Sequence, residues 1–384
     1  MQKQKSGNLV VIIGNGFDLA HGLKTGFSDF AKYYIDKIIY PEIGKALKTG
    51  NSSILEKTFI DILRLPDISA FRNTTNLTDN KRVQIEISHL ARSPGDKSVN
   101  ILFLLRKKGF VASIITNSFL KTLYSDNFPN WFDIEQAYYG MLKDFYSNKS
   151  WDAIERLNDN LSKIKESFKQ YLTHEIRPNV NEHVNHSFTK HFKDRREVTF
   201  INFNYTKTLD LYDSTGFSKI HIHGELDNEI LFGYGDDTDE TYLKMKNERN
   251  KELLRNFKTY GYLKSSPYKV MLNKLAVFND YDCLVVGHSL DLTDKTILKT
   301  ILDSEKCNYI ELLKRSDLEN EQAKYEAHFE LHANLARIFS HETDLRKKLI
   351  SYDQSIHFPL IQSGDDEKVS EREKILYNGD VFFF

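Results

Sequence analysis

Thr199-Phe200-Ile201-Asn202-Phe203-Asn204-Tyr205-Thr206 reads as a strand that runs into polar side chains at its carboxyl end. Ligands of open α/β sheets bind outside such ends. A short link later comes His221-Ile222-His223-Gly224. Alternation puts both histidines on one strand face, and Gly224 leaves room for a turn or a close ligand. A histidine there can exchange a proton near neutral pH, and an asparagine can hold a water or a sugar hydroxyl. Core histidines with satisfied hydrogen bonds fit the same pattern. A His-x-His pair can also ligate a metal, but no carboxylate or third histidine stands at a characteristic spacing, so no metal is expected.

A second set of residues could hold a phosphate. Leu9-Val10-Val11-Ile12-Ile13 is a short, apolar, β-branched run that ends at Gly14-Asn15-Gly16-Phe17-Asp18. Strand, Gly-x-Gly, then helix is the arrangement of a dinucleotide-binding loop, where glycines let the backbone approach a pyrophosphate and the helix start offers free N–H groups. A third glycine is missing, since position 19 is Leu19, and no Walker lysine follows, which excludes a P-loop ATPase. A tight turn without a ligand is the alternative. Asp18 either caps the next helix or meets a ribose hydroxyl; His21 either binds a ligand or sits in the turn at His21-Gly22. Val285-Val286-Gly287-His288-Ser289-Leu290 is a second strand-to-loop junction, in which Ser289 could donate to phosphate and Asp291 or Asp294 could cap the next helix. It is not a hydrolase elbow, because position 291 is Asp. Leu231-Phe232-Gly233-Tyr234-Gly235-Asp236-Asp237 either lines a pocket or bends the chain.

These residues need a sheet to hold them. Strands are expected at Leu9–Ile13, Val111–Ile115, Val198–Phe203, Ile220–His223, Ile230–Phe232, Asp282–Val286 and Tyr309–Leu313. Helices are expected after Ser28-Asp29, over Ile101–Phe110, Ala137–Phe145 and Trp151–Ile176, over 238–275 with a break at Pro267, over Asp291–Leu302 and over 317–350. Trp131-Phe132-Asp133-Ile134-Glu135 fits a helix start anchored by tryptophan. Ile154, Leu157, Leu161, Ile164 and Phe168 form a core-facing stripe at helical spacing. The pattern predicts an α/β protein with a Rossmann-like, mostly parallel sheet in a domain over 1–350, a large helical insertion at about 30–195, and a C-terminal tail over 351–384.

The chain has 384 residues, a formal net charge of −1 and 28% charged residues. Such a chain buries a sizeable core without disulfides, and its global charge does not point to a polyanionic partner. Its two cysteines, Cys283 and Cys307, make no CxxC or zinc spacing and read as reduced thiols. No run approaches the roughly 20 apolar residues of a membrane span, and the first apolar run is too short for a signal peptide. A cytoplasmic protein without a membrane partner is expected.

Gly14-Asn15-Gly16-Phe17-Asp18-Leu19-Ala20-His21-Gly22-Leu23-Lys24-Thr25, with Phe27 to Phe30, resembles the opening signature of the AbiH family of bacterial abortive-infection proteins. Trp131 to Glu135, Asn202 to Thr206, His221 to Gly224, Gly233 to Asp236 and Gly287 to Leu290 resemble its later landmarks, in family order. The AbiH pattern is in turn similar to Sir2-like proteins of phage defence, in which a strand-end asparagine and a His-Gly histidine act on NAD. The resemblance implies that Asn204 and His223 are catalytic. It also implies that Gly14, Asn15, Gly16, Phe17, Asp18, His21, Tyr205, Gly287, His288 and Ser289 bind the nucleotide. Asn15, Phe17 and Thr206 depart from the Sir2 pattern, and the sirtuin zinc cysteines are absent, so a deacetylase is not implied. The implied activity is cleavage of NAD, as substrate or bound ligand, in anti-phage defence. A phage component would be the trigger, and a homo-oligomer is open. The alternatives are a nucleotide-binding sensor without chemistry and a nuclease or RNA-directed effector.

Overall fold

The computed structural model describes residues 6–34, 37, 131–177, 188–189, 192, 194–212, 217–315, 318 and 320–358. The strand expected at Val111–Ile115 and the helix over Ile101–Phe110 lie outside them. The chain divides into two compact units, Met1–Thr25 with Leu172–Phe384, and Gly26–Tyr171.

The first unit holds a parallel sheet of β1 (Asn8–Ile13), β2 (Glu197–Asn202), β3 (Phe217–His221), β4 (Tyr281–Val286) and β5 (Cys307–Leu312). The order is β3-β2-β1-β4-β5. The β1–β4 boundary, where the chain reverses its direction of sheet growth, is the switch point of a Rossmann-like fold. Both faces of β1 are covered, which explains its unbroken apolar run. Val10 and Ile12 join one core with Met271, Ile297, Ile301 and Leu335; Leu9, Val11 and Ile13 join the other with Phe17, Phe188, Phe200 and Tyr212.

The described helices of this unit that bear on the site are α1 (Asn15–Ala20), with Glu240–Lys246, Lys258–Lys264, Pro267–Val277, Lys295–Leu302, Glu321–Ile338 and Glu342–Lys348 further along. Pro267 starts a helix rather than only breaking one, since a first-turn position needs no N–H donor. Ile230–Phe232, expected as a strand, has no ladder partner and forms a loop. Its Ile230 and Phe232 are buried all the same, so local apolarity reported burial and not pairing. The first residues of the expected tail dock beside β5, where Lys314 N–H donates to Ile356 O and Phe358 N–H donates to Lys314 O.

The second unit contains helices Phe27–Tyr33, Trp131–Ser147 and Trp151–Tyr171. The stripe Ile154, Leu157, Leu161, Ile164 and Phe168 is buried along the last of these. Phe30 meets Phe168 and Tyr171, and Tyr138 donates to Asn158 at 2.7 Å.

Candidate functional site

Parallel register brings four strand ends level. Ile13 pairs with Asn202 and with Val286, and Asn202 pairs with His221. The ladder continues for one step: Gly14 N–H donates to Val286 O, Phe203 N–H to Ile13 O, and Ile222 N–H to Asn202 O. Gly14, Asn204, His223 and Gly287 therefore leave the same carboxyl edge, around the switch point.

Gly14 and Gly287 are where two loops close on each other. A Cβ on Gly14 would lie 2.5 Å from the His288 Cα, and one on Gly287, whose φ is +66°, would lie 2.4 Å from the Phe17 nitrogen. Gly16 N–H donates to Gly287 O at 2.8 Å, and Phe17 N–H to Gly14 O at 2.9 Å. In this arrangement those two donors are spent within the protein. Phe17 is fully buried among Phe188 and Tyr212. His21 is also a core residue: its Nδ1 is 2.7 Å from Phe17 O and its Nε2 is 2.8 Å from the Tyr212 hydroxyl. Burial pulls its pKa down to about 4, so it is neutral at pH 7.

Asn204 anchors the first loop. Its Nδ2 donates to Gly14 O at 2.9 Å, and its own N–H donates to Asn202 Oδ1. Asn202 Nδ2 also lies 3.2 Å from His221 Nδ1. Asp18 receives the Thr206 hydroxyl at 2.7 Å, and Thr208 donates to Thr206 behind it. The second Asp18 oxygen has no hydrogen-bond partner among the described residues. Burial pushes this carboxyl up to about 6, against the hydrogen bond from Thr206.

The second group centres on Asp294. Its Oδ1 lies 3.0 Å from His223 Nε2 and 2.7 Å from Lys258 Nζ; its Oδ2 lies 3.6 Å from His288 Nε2. Burial opposes the charge on Asp294, but Lys258 and His223 outweigh it and hold the carboxyl well below its ordinary value. Burial likewise holds His223 below the ordinary imidazole value, with Asp294 pulling it back up. The Asp294 carboxylate therefore accepts a hydrogen bond from His223 Nε2–H and leaves the Nδ1 lone pair as the basic atom. Leu290 N–H donates to His288 Nδ1, so His288 too turns a protonated Nε2 toward Asp294. Leu290 itself has φ of +59°, a costly conformation for a leucine, set in the loop that carries His288. Phe203 packs edge-on against both His223 and His288 and joins the two groups.

The remaining expected residues surround this cluster. The Tyr205 ring stacks on His223 while its hydroxyl donates to Leu231 O. Asn15 and Ser289 are half-buried, and Ser289 O accepts from Asn334. Asp291, not Asp294, supplies the helix cap, through Thr293 N–H. Lys258 carried no signal in the sequence: a lone lysine in a polar helix reads as surface, yet it is 2% exposed. Asp294 had a signal only as one of two cap candidates, beside Asp291, and its side chain makes no cap hydrogen bond. A pocket of about 500 Å³ lies elsewhere along Lys295–Leu302, and neither Asn204 nor His223 lines it.

The fold and this cluster define a Rossmann-like α/β protein with a buried histidine–carboxylate–lysine network at its switch point. The chain belongs to the AbiH family: the family model for bacteriophage abortive infection AbiH matches residues 10–314. That membership places it in phage abortive infection. No curated protein and no solved structure matches it. Among the described residues no helix is long and apolar enough to cross a membrane, and no group of three or more His, Cys, Asp or Glu could hold a metal ion.

Proposed function

We propose that the protein binds NAD or a related nucleotide at the switch point and hydrolyses the bond between nicotinamide and ribose. The observation that carries this reading is the His223–Asp294 pair, at 3.0 Å, set at the carboxyl edge of a Rossmann-like sheet beside Asn204. A neutral histidine oriented by a carboxylate is the arrangement of a general base. In the proposed step His223 Nδ1 takes a proton from water. The water oxygen bonds to the ribose carbon, and nicotinamide leaves with the electron pair of the broken C–N bond. Asn204 holds the loop of Gly14 and positions the ribose or the water. The Gly14–Asp18 and Gly287–Ser289 segments face the phosphates. Because Gly16 N–H is spent on Gly287 O, phosphate binding on that donor requires the Gly287 loop to move.

The loop movement that binding requires suits a second reading, a nucleotide sensor without chemistry. Titration of the protein with NAD and with ADP-ribose, followed by chromatography for free nicotinamide, separates the two. The expected result is binding with nicotinamide release, reduced by about 10² to 10⁴ in His223→Ala and in Asn204→Ala. Binding without release supports the sensor. Normal NAD hydrolysis in either variant, or no binding of either nucleotide, overturns the proposal.

A further inference from the structure

The pocket along Lys295–Leu302 has a distinct chemistry. Two rows of side chains, at helical spacing, line it: Lys295, Lys299 and Asp303, then Thr296, Thr300 and Ser304. Thr296 Oγ1 donates its proton to Gly235 O at 2.8 Å, and Thr300 Oγ1 donates to Thr296 O at 2.8 Å. Across the pocket, Thr238 Oγ1 donates to Asp236 Oδ1 at 2.6 Å. These three threonine oxygens therefore offer lone pairs and no protons. Asp237 adds another acceptor. Asp303 holds the Ser340 N–H and hydroxyl on one oxygen, which leaves the other to accept. The cations stand opposite in kind. Lys295 is paired with Asp236 at 3.2 Å, and Lys299 has no hydrogen bond or ion pair among the described residues. Tyr268 also lines the pocket.

We infer that this pocket binds a sugar phosphate. A polyol supplies the protons that the threonine and aspartate oxygens lack, its C–H face lies against Tyr268, and its phosphate meets Lys299 and Lys295. Bare phosphate satisfies only the lysines and leaves the acceptors unused. The site is separate from the switch point, but it abuts the same network. Tyr268 stacks on Tyr262, Tyr262 stacks on His223, and Lys295 directly follows Asp294. A phosphate that draws Lys295 from Asp236 alters the charge beside that carboxylate.

The test is isothermal titration of the full chain with ribose 5-phosphate, with ribose and inorganic phosphate as separate titrants. Ribose 5-phosphate is expected to bind more tightly than either. Lys299→Gln should weaken it about tenfold or more, while the unliganded melting temperature stays put, because Lys299 has no hydrogen-bond or ion-pair partner among the described residues. Thr300→Val should weaken it less, and should spare inorganic phosphate. Three results overturn the inference: no binding of ribose 5-phosphate, equal affinity in Lys299→Gln, or inorganic phosphate binding as tightly as the sugar phosphate.

Discussion

Asp18 is 2% exposed, with one oxygen bonded to Thr206 and the other without a hydrogen-bond partner among the described residues. Its carboxyl is raised to about 6 from its ordinary value of 3.8. The folded protein therefore binds a proton at Asp18 more readily than the unfolded chain does. The stability this contributes is complete below pH 4 or so, and is lost as pH rises through 6. Ionising this carboxyl in the folded protein costs about 3 kcal/mol. Asp18→Asn keeps the shape and removes the titration. Denaturation midpoints of wild type and variant across pH 4 to 7 should diverge as pH rises, with the variant gaining. Parallel curves would show that Asp18 does not titrate in this window. At this scale the sequence marked residue types and left their tasks open. Asp18 and His21 both belong to the motif that was read, and both turn inward, Asp18 to Thr206 and His21 to Tyr212.

At the scale of elements, the two glycine loops depend on each other. Gly287 combines φ of +66° with a Cβ path blocked by Phe17 backbone at 2.4 Å. Gly287→Ala meets both obstacles and neither can yield by a side-chain rotation. The expected cost is about 2 to 4 kcal/mol, read as a lowered midpoint in urea denaturation with an unchanged slope. A variant as stable as wild type would mean that the loops are not locked as described. The strands β1 and β4 were legible because they are buried on both faces and so are apolar along most of their length. Ile230–Phe232 misled for the same reason: burial makes a segment apolar whether or not it finds a ladder partner.

The chain divides into two compact units, and units that unfold independently give two cooperative transitions. Scanning calorimetry should give a calorimetric enthalpy larger than the van't Hoff enthalpy. A single transition with equal enthalpies would show one cooperative body instead. Cys283 and Cys307 report on the first unit: both are buried, and burial raises both thiols, Cys307 to about 12.

The sequence by itself determined the parallel α/β class, the glycine loops and the family, because these rest on contiguous patterns of burial and on short motifs that survive as strings. It also singled out Asn204 and His223 as residues at strand ends. Only the tertiary structure decided what they touch. Lys258, Asp294 and His223 meet through a carboxylate that a local rule assigns to a helix cap. Gly16 spends its donor on a carbonyl 271 positions away in the chain, at Gly287. Such partnerships depend on sheet register and loop closure, which bring together residues that share no local pattern.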